Sequence, residues 1–176
     1  ELAGPGAADV LGRLLQETQP ASRLNTLHEE ALLSLHRLGR SAPLESYLVT
    51  AETRVEELLL KGERLDEACD ILFKKGMLLN RAGRREASAT AYQRLLAVSE
   101  KNPLPGEAGE RVPLVLYNLA CLASLGGEKA RALEWLEKAV RAGYQDRAWI
   151  ELDLELEAIR GEEGYRRLLA DEKLLP

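Results

Sequence analysis

The residues that build catalytic and redox centres are scarce here: 176 positions hold only two cysteines, two histidines and one methionine. Aromatic residues are equally sparse at 5%, including a single phenylalanine. A core with so few rings has to be filled by leucine and alanine, which suits helices and argues against strands. Cys69 and Cys121 stand far apart, each inside an apolar helical pattern. A free thiol in that setting behaves as a small hydrophobe, so two core positions are expected rather than a disulfide. No apolar run approaches the roughly 18 residues of a membrane span, and no basic-apolar-small leader opens the chain. The formal net charge is −5 and the pI near 5.3, with no basic block. A phosphate backbone would be repelled, which excludes nucleic acid as the expected partner.

The short list of reactive residues is also badly spaced for chemistry. His28 and His36 lie two helical turns apart, roughly 12 Å, too far to share one metal. Glu29 and Glu30 beside His28 flank an apolar stripe and read as a solvated face. Neither cysteine carries a nucleophile signature. Gly126 and Gly127 sit between two helical patterns instead of between a strand and a helix, so they do not form a phosphate-cradling loop. No catalytic residue, cofactor or metal is expected. The chain begins at Glu1 and its sole methionine is Met77, as a processed protein or an excised domain would. A cytoplasmic location is the favoured expectation, with the periplasm as the alternative because the native N-terminus is not present. An excess of arginine over lysine hints at a GC-rich bacterial genome.

What the sequence does contain is one apolar helical stripe after another, each closed by glycine, proline or a polar turn. Residues 1–6 form a loose leader, and a first helix is expected over Ala8 to Gln19. Ser22 can cap a helix carrying Leu24, Leu27, Ala31, Leu35 and Leu38, ending at Gly39. Pro43 stands in the first turn of the next, with Leu44, Leu48, Ala51, Val55 and Leu58 at the same spacing, ending at Gly62. The pattern resumes at Leu65, stops at Gly83, and restarts through Ser88, Ala91, Tyr92 and Leu95. Residues 102–113 hold three prolines and two glycines and predict the longest loop. Beyond it, Leu116, Leu119, Ala120 and Ala123 lead to the Gly126–Gly127 turn, followed by Ala132, Leu133, Leu136, Ala139 and Val140.

Sliding the sequence by 44 residues superimposes the last two hairpins: Leu72 on Leu116, Gly76 on Ala120, Leu79 on Ala123, Gly83 on Gly127, Ser88 on Ala132 and Tyr92 on Leu136. Small residues recur where paired antiparallel helices must cross closely. This pattern resembles the tetratricopeptide repeat, most closely in YNLACLASLGGEKARALEWLEKAVRAGYQD from Tyr117 to Asp146. The following DLELEAIRGEEGYRRLL, Asp153 to Leu169, resembles the segment that closes such arrays. The resemblance implies an all-α, right-handed superhelical solenoid of about eight or nine antiparallel helices. Its parts would be degenerate hairpins over 7–62 that lack an in-register glycine, a repeat over 63–102, an inserted loop over 103–112, a repeat over 113–146 and capping helices over 147–176. The acidic and apolar alternation at Glu151, Asp153, Glu155 and Glu157 has the look of a strand, and the resemblance places it in the closing helices.

In this family the first helix of each repeat lines an inner groove that binds proteins. Carried over, the groove residues are Phe73, Lys74, Met77, Asn80 and Arg81 in one repeat and Tyr117, Asn118 and Cys121 in the next. Phe73, Met77 and Tyr117 would offer apolar area to an extended peptide or a helix, and Asn80 and Asn118 would bond its backbone. The alternative is that Phe73, Met77 and Tyr117 are half-buried packing residues and Cys121 is core. A carboxylate clamp is disfavoured, because Glu151 would stand where a basic group is needed. The resemblance thus implies a non-catalytic protein-binding adaptor. A self-association module, or the non-catalytic arm of a larger enzyme or regulator, are the alternatives.

Overall fold

The structure, a computed structural model, describes residues 26–102 and 106–170. The expected leader, the helix over 8–19, the Ser22 cap and residues 171–176 lie outside the described residues. Helices follow one another in the order α1 (Thr26–Arg37), α2 (Ala42–Lys61), α3 (Leu65–Arg81), α4 (Arg85–Lys101), α5 (Glu107–Glu110), α6 (Val112–Leu125), α7 (Lys129–Arg141) and α8 (Arg147–Leu152). A 3-10 helix (Leu154–Ile159) and α9 (Glu163–Leu169) complete the chain, and no strand occurs among the described residues. The all-α class expected from composition is therefore observed. Two compact units divide the chain at Val98 and Ser99, inside α4.

The first unit contains two hairpins, α1 with α2 and α3 with most of α4. Leu32 and Leu33 of α1, Leu44 and Leu48 of α2, and Leu78 and Leu79 of α3 form a single buried cluster, with Tyr47 and Ala82 against it. Leu44 and Leu48 are positions the three-and-four spacing marked, whereas Leu32, Leu33 and Leu78 are not, and Leu27 and Leu38, which the spacing marked for α1, are exposed. Removal of the cluster from water is the main stabilising contribution. At the α3–α4 crossing Gly76 is the decisive residue. A Cβ built there would lie 2.4 Å from Cε1 of Tyr92, whose ring is itself buried. Ser88 is also buried and donates its hydroxyl proton to the Gly76 carbonyl at 2.8 Å. The serine therefore closes the helix contact and satisfies its own polar group.

Ion pairs stitch the hairpins of this unit. Glu52 of α2 accepts from Lys75 of α3 and from Arg94 of α4, and Arg94 also reaches Glu56. Arg54 donates through Nε to buried Glu67 at 3.0 Å. Burial works to raise the Glu52 carboxyl, but the hydrogen bonds from Lys75 and Arg94 outweigh it and hold Glu52 below its ordinary value of 4.5. A carboxyl lowered by folding contributes stability above its unfolded pKa and loses it as pH falls through the lower folded value. Glu52→Gln should therefore cost under about 1 kcal/mol at neutral pH, since more than a third of the Glu52 side chain is in water, which screens the pairs. It should also make urea-measured stability fall less steeply on acidification below 4.5 than in the wild type.

The second unit is built on the α6–α7 hairpin. Ala120 of α6 and Ala132 and Leu136 of α7 are buried, at the positions equivalent to Gly76, Ser88 and Tyr92. The expected loop over 102–113 is shorter than its prolines and glycines suggested: α5 occupies part of it, and Pro113 lies in the first turn of α6. A first-turn proline has no N–H to lose from the helix ladder, so it starts a helix instead of excluding one. The closing segment is also less regular than expected. Asp153 takes an extended conformation (φ −67°, ψ 113°), breaking α8 from the 3-10 helix. It packs against the hairpin through buried Ile150, Leu156, Ile159 and Tyr165.

Each of these hairpins turns in the same way, and one more copy appears than the sequence comparison brought out. Gly39, Gly83 and Gly127 have φ of +77°, +77° and +75°. After each, an N–H returns five residues to a helix carbonyl: Arg40 to Leu35, Arg84 to Leu79 and Glu128 to Ala123, all at 2.9 Å. The left-handed glycine with this return bond is the Schellman closure. The N-terminal hairpin was expected to lack an in-register glycine, yet Gly39 precedes Gly83 by the same 44 residues. Leu44, Leu48 and Ala51 are likewise buried in register with Ser88, Tyr92 and Leu95.

Candidate partner-binding faces

On α3, Asp70, Phe73, Lys74, Met77, Asn80 and Arg81 recur at three and four and are all half-buried or exposed. Between them Ile71, Leu72, Leu78 and Leu79 are buried. The helix thus splits cleanly into a core face and a presented face, as a single stripe of apolar residues requires. All five residues expected in this groove stand on the presented face. Phe73 tilts at 50° toward Tyr92 with ring centroids 6.2 Å apart, which anchors one edge of the ring. Lys74 pairs with Asp70 at 2.8 Å. Arg81 pairs with Glu30 and sits 3.7 Å from Glu29 on α1. Burial raises the Glu29 carboxyl, opposed in part by the cations of Arg81 and Lys74. Tyr47 of α2 is pushed up by burial and by the charges of Glu29 and Asp70. The resulting face alternates apolar area with half-buried charge.

On α6 the outcome differs. Asn118 is half-buried, but Tyr117 and Cys121 are each only 2% exposed. The groove wall was one expectation for them and a packing or core role the other; the structure packs them beneath the closing segment, which removes them from the partner-binding residues. Tyr117 donates its hydroxyl proton to Asp153 Oδ2 at 2.6 Å and stacks on Tyr144, centroids 4.4 Å apart and planes within 6°. The Cys121 thiol donates to the same oxygen at 3.5 Å. Asp153 Oδ1 accepts the Glu155 N–H at 2.9 Å, capping the 3-10 helix. One carboxylate therefore ties α6 to the closing segment through two donors and caps the 3-10 helix through a third. Arg160 adds a bond from Nη2 to the Asp153 carbonyl at 3.0 Å, and Tyr165 donates to the Ile150 carbonyl at 2.8 Å.

Sequence reasoning missed Asp153 and Tyr144 as members of this cluster. No local pattern signals them, since the partners lie a full helix and more away along the chain. Cys121 Sγ and the carboxylates of Asp153 and Glu155 also lie within 4.8 Å of one another. Burial and the nearby carboxylates hold the Cys121 thiol well above the ordinary range, so it acts here as a proton donor to Asp153. Burial likewise pushes Cys69 up to about 11. Both cysteines are buried and free, and neither has the electropositive, accessible setting of a nucleophile. His36 shares a hydrogen bond of 2.8 Å with Ser41 at the start of α2.

Among the described residues, no helix is long and apolar enough to cross a membrane. No family model, curated protein or solved structure matches the chain.

Proposed function

We propose that the chain is a protein-interaction module of the tetratricopeptide type, in which successive hairpins stack into a right-handed superhelix and α3 docks a peptide or helix of a partner. The observation that carries this reading is the α3 stripe. Phe73 and Met77 keep apolar area in contact with water although a core lies one helical face away, and Lys74, Asn80 and Arg81 frame them with donors. Burying such aromatic and thioether groups beneath a polar frame is how helix-in-groove and peptide-in-groove recognition gains affinity. The crossings at Gly76 with Ser88, and the buried Ala120 and Ala132, support the stacked architecture, because hairpins pile up only where small residues permit close approach.

Lys74, Asn80 and Arg81 supply the polar part of the reading, and no role in docking is given to Tyr117 or Cys121. Affinity capture from the source lysate tests it. Wild-type chain should retain partners that Phe73→Ala with Met77→Ala loses by tenfold or more, at unchanged helical circular dichroism. Equal recovery by both would remove α3 as the docking face.

A further inference from the structure

The closing segment contains an alternation that the fold uses only in part. Glu151, Asp153, Glu155 and Glu157 interleave with Leu152, Leu154 and Leu156. Of these leucines only Leu156 is buried, while Leu152 is 74% exposed and Leu154 78%. Trp149, one turn before Leu152 on α8, is 55% exposed. Single exposed leucines are ordinary on a surface, but a tryptophan and two leucines within six positions, each more than half in water, are not. Neighbouring Ile150, Leu156 and Ile159 already anchor the segment, so the exposed three are not needed for its attachment.

The charge around them is predominantly acidic. Between residues 146 and 160 there are five acidic side chains and two basic ones, Arg147 and Arg160. Each arginine is matched to a single local carboxylate, Arg147 to Glu151 at 2.8 Å and Arg160 to Glu157 at 2.7 Å. Asp146 and Asp153 are engaged as caps through the N–H groups of Trp149 and Glu155. Caps and intrahelical pairs leave the acidic excess of the segment in place.

We infer that Trp149, Leu152 and Leu154, with their acidic surround, form a second docking surface whose occupant is a basic amphipathic segment of a partner protein, apolar on one face and rich in Lys or Arg on the other. Charge complementarity selects this occupant: an acidic amphipathic segment would cover the same apolar groups against like-charge repulsion, and a second copy of this segment would bring two acidic rims together. The surface lies wholly within the second unit and does not depend on α3 binding anything.

The test is fluorescence anisotropy with a labelled 18-residue peptide of Leu and Lys patterned as an amphipathic helix, and its counterpart with Glu replacing every Lys. Wild-type chain should bind the Lys peptide saturably, with affinity falling as salt rises, and should not bind the Glu peptide. Leu152→Ser with Leu154→Ser should weaken binding tenfold or more. Glu151→Gln with Glu157→Gln should weaken it several-fold and flatten the salt dependence. Failure of the Lys peptide to bind, binding unaffected by the leucine substitutions, or equal binding of the Glu peptide would each overturn the inference. So would a concentration-dependent dimer in sedimentation that the leucine substitutions abolish, which would assign the surface to a second copy. Because the substituted leucines are exposed, the variants should keep wild-type circular dichroism; if they unfold, Trp149→Ala replaces them under the same criteria.

Discussion

Gly76→Ala should destabilise the first unit by about 2 kcal/mol although it adds one methyl group to a helix that would otherwise welcome it. In a solvent-facing helix position, alanine in place of glycine gains about 1 kcal/mol. At Gly76 the new Cβ would stand 2.4 Å from a carbon of the buried Tyr92 ring, inside any real contact distance. The ring cannot retreat without displacing core neighbours, so the overpacking falls at the upper end of the usual range of about 1–3 kcal/mol, and about 2 kcal/mol remains after the propensity gain. The second unit shows which compensation works, because its equivalent positions are Ala120 and Leu136, both buried. Tyr92→Leu alone should also destabilise, by about 1–3 kcal/mol, through the void it leaves. Combined with Gly76→Ala it should recover most of that loss, a coupling readable in a urea double-mutant cycle. Strict additivity would show that Tyr92 is not what the methyl group meets.

The second large effect is expected at Asp153. Asp153→Ala removes the acceptor of the buried Tyr117 hydroxyl, the acceptor of the Cys121 thiol and the cap of the 3-10 helix together. A buried donor left without a partner costs about 1–3 kcal/mol and a lost cap about 0.5–2. Together these predict about 2–4 kcal/mol, measured by urea unfolding, with faster hydrogen exchange of the amides in the 3-10 helix and α9. Asp153→Asn keeps one side-chain oxygen and should fall between. Adding Tyr117→Phe to Asp153→Ala should restore part of the loss, since the orphaned hydroxyl is then gone. A cost below about 0.5 kcal/mol for Asp153→Ala would mean that the carboxylate does not hold the closing segment down.

The sequence reads well where local rules decide and poorly where distant partners do. Helix bounds from Ala42 to Lys61 and from Leu65 to Arg81 follow from spacing and from Gly62 and Gly83, which act within one turn. The repeat was legible at Gly76 and Ala120 because small residues align there. Its extension to Gly39 was hidden, since Leu32 replaces the small residue and His28 stands at the Leu72 position, so side-chain size no longer repeats while the backbone turn does. Pro113 was misread because a proline signals both a loop and a helix start, and only the chain around it decides. The presented face of α3 was expected from the tetratricopeptide resemblance and not from spacing alone. The burial of Cys121 followed from its apolar helical setting, but the hydrogen bonds of Tyr117 and Cys121 to Asp153, more than thirty residues downstream, had no local signal.

Docking on α3 is most directly tested by selecting peptides from a random display library against the chain and mapping the enriched ones on its assigned amide spectrum. Shifts concentrated at Phe73, Lys74, Met77, Asn80 and Arg81, absent in Phe73→Ala with Met77→Ala, are the predicted result. Saturable peptide binding that leaves those amides unmoved would contradict it.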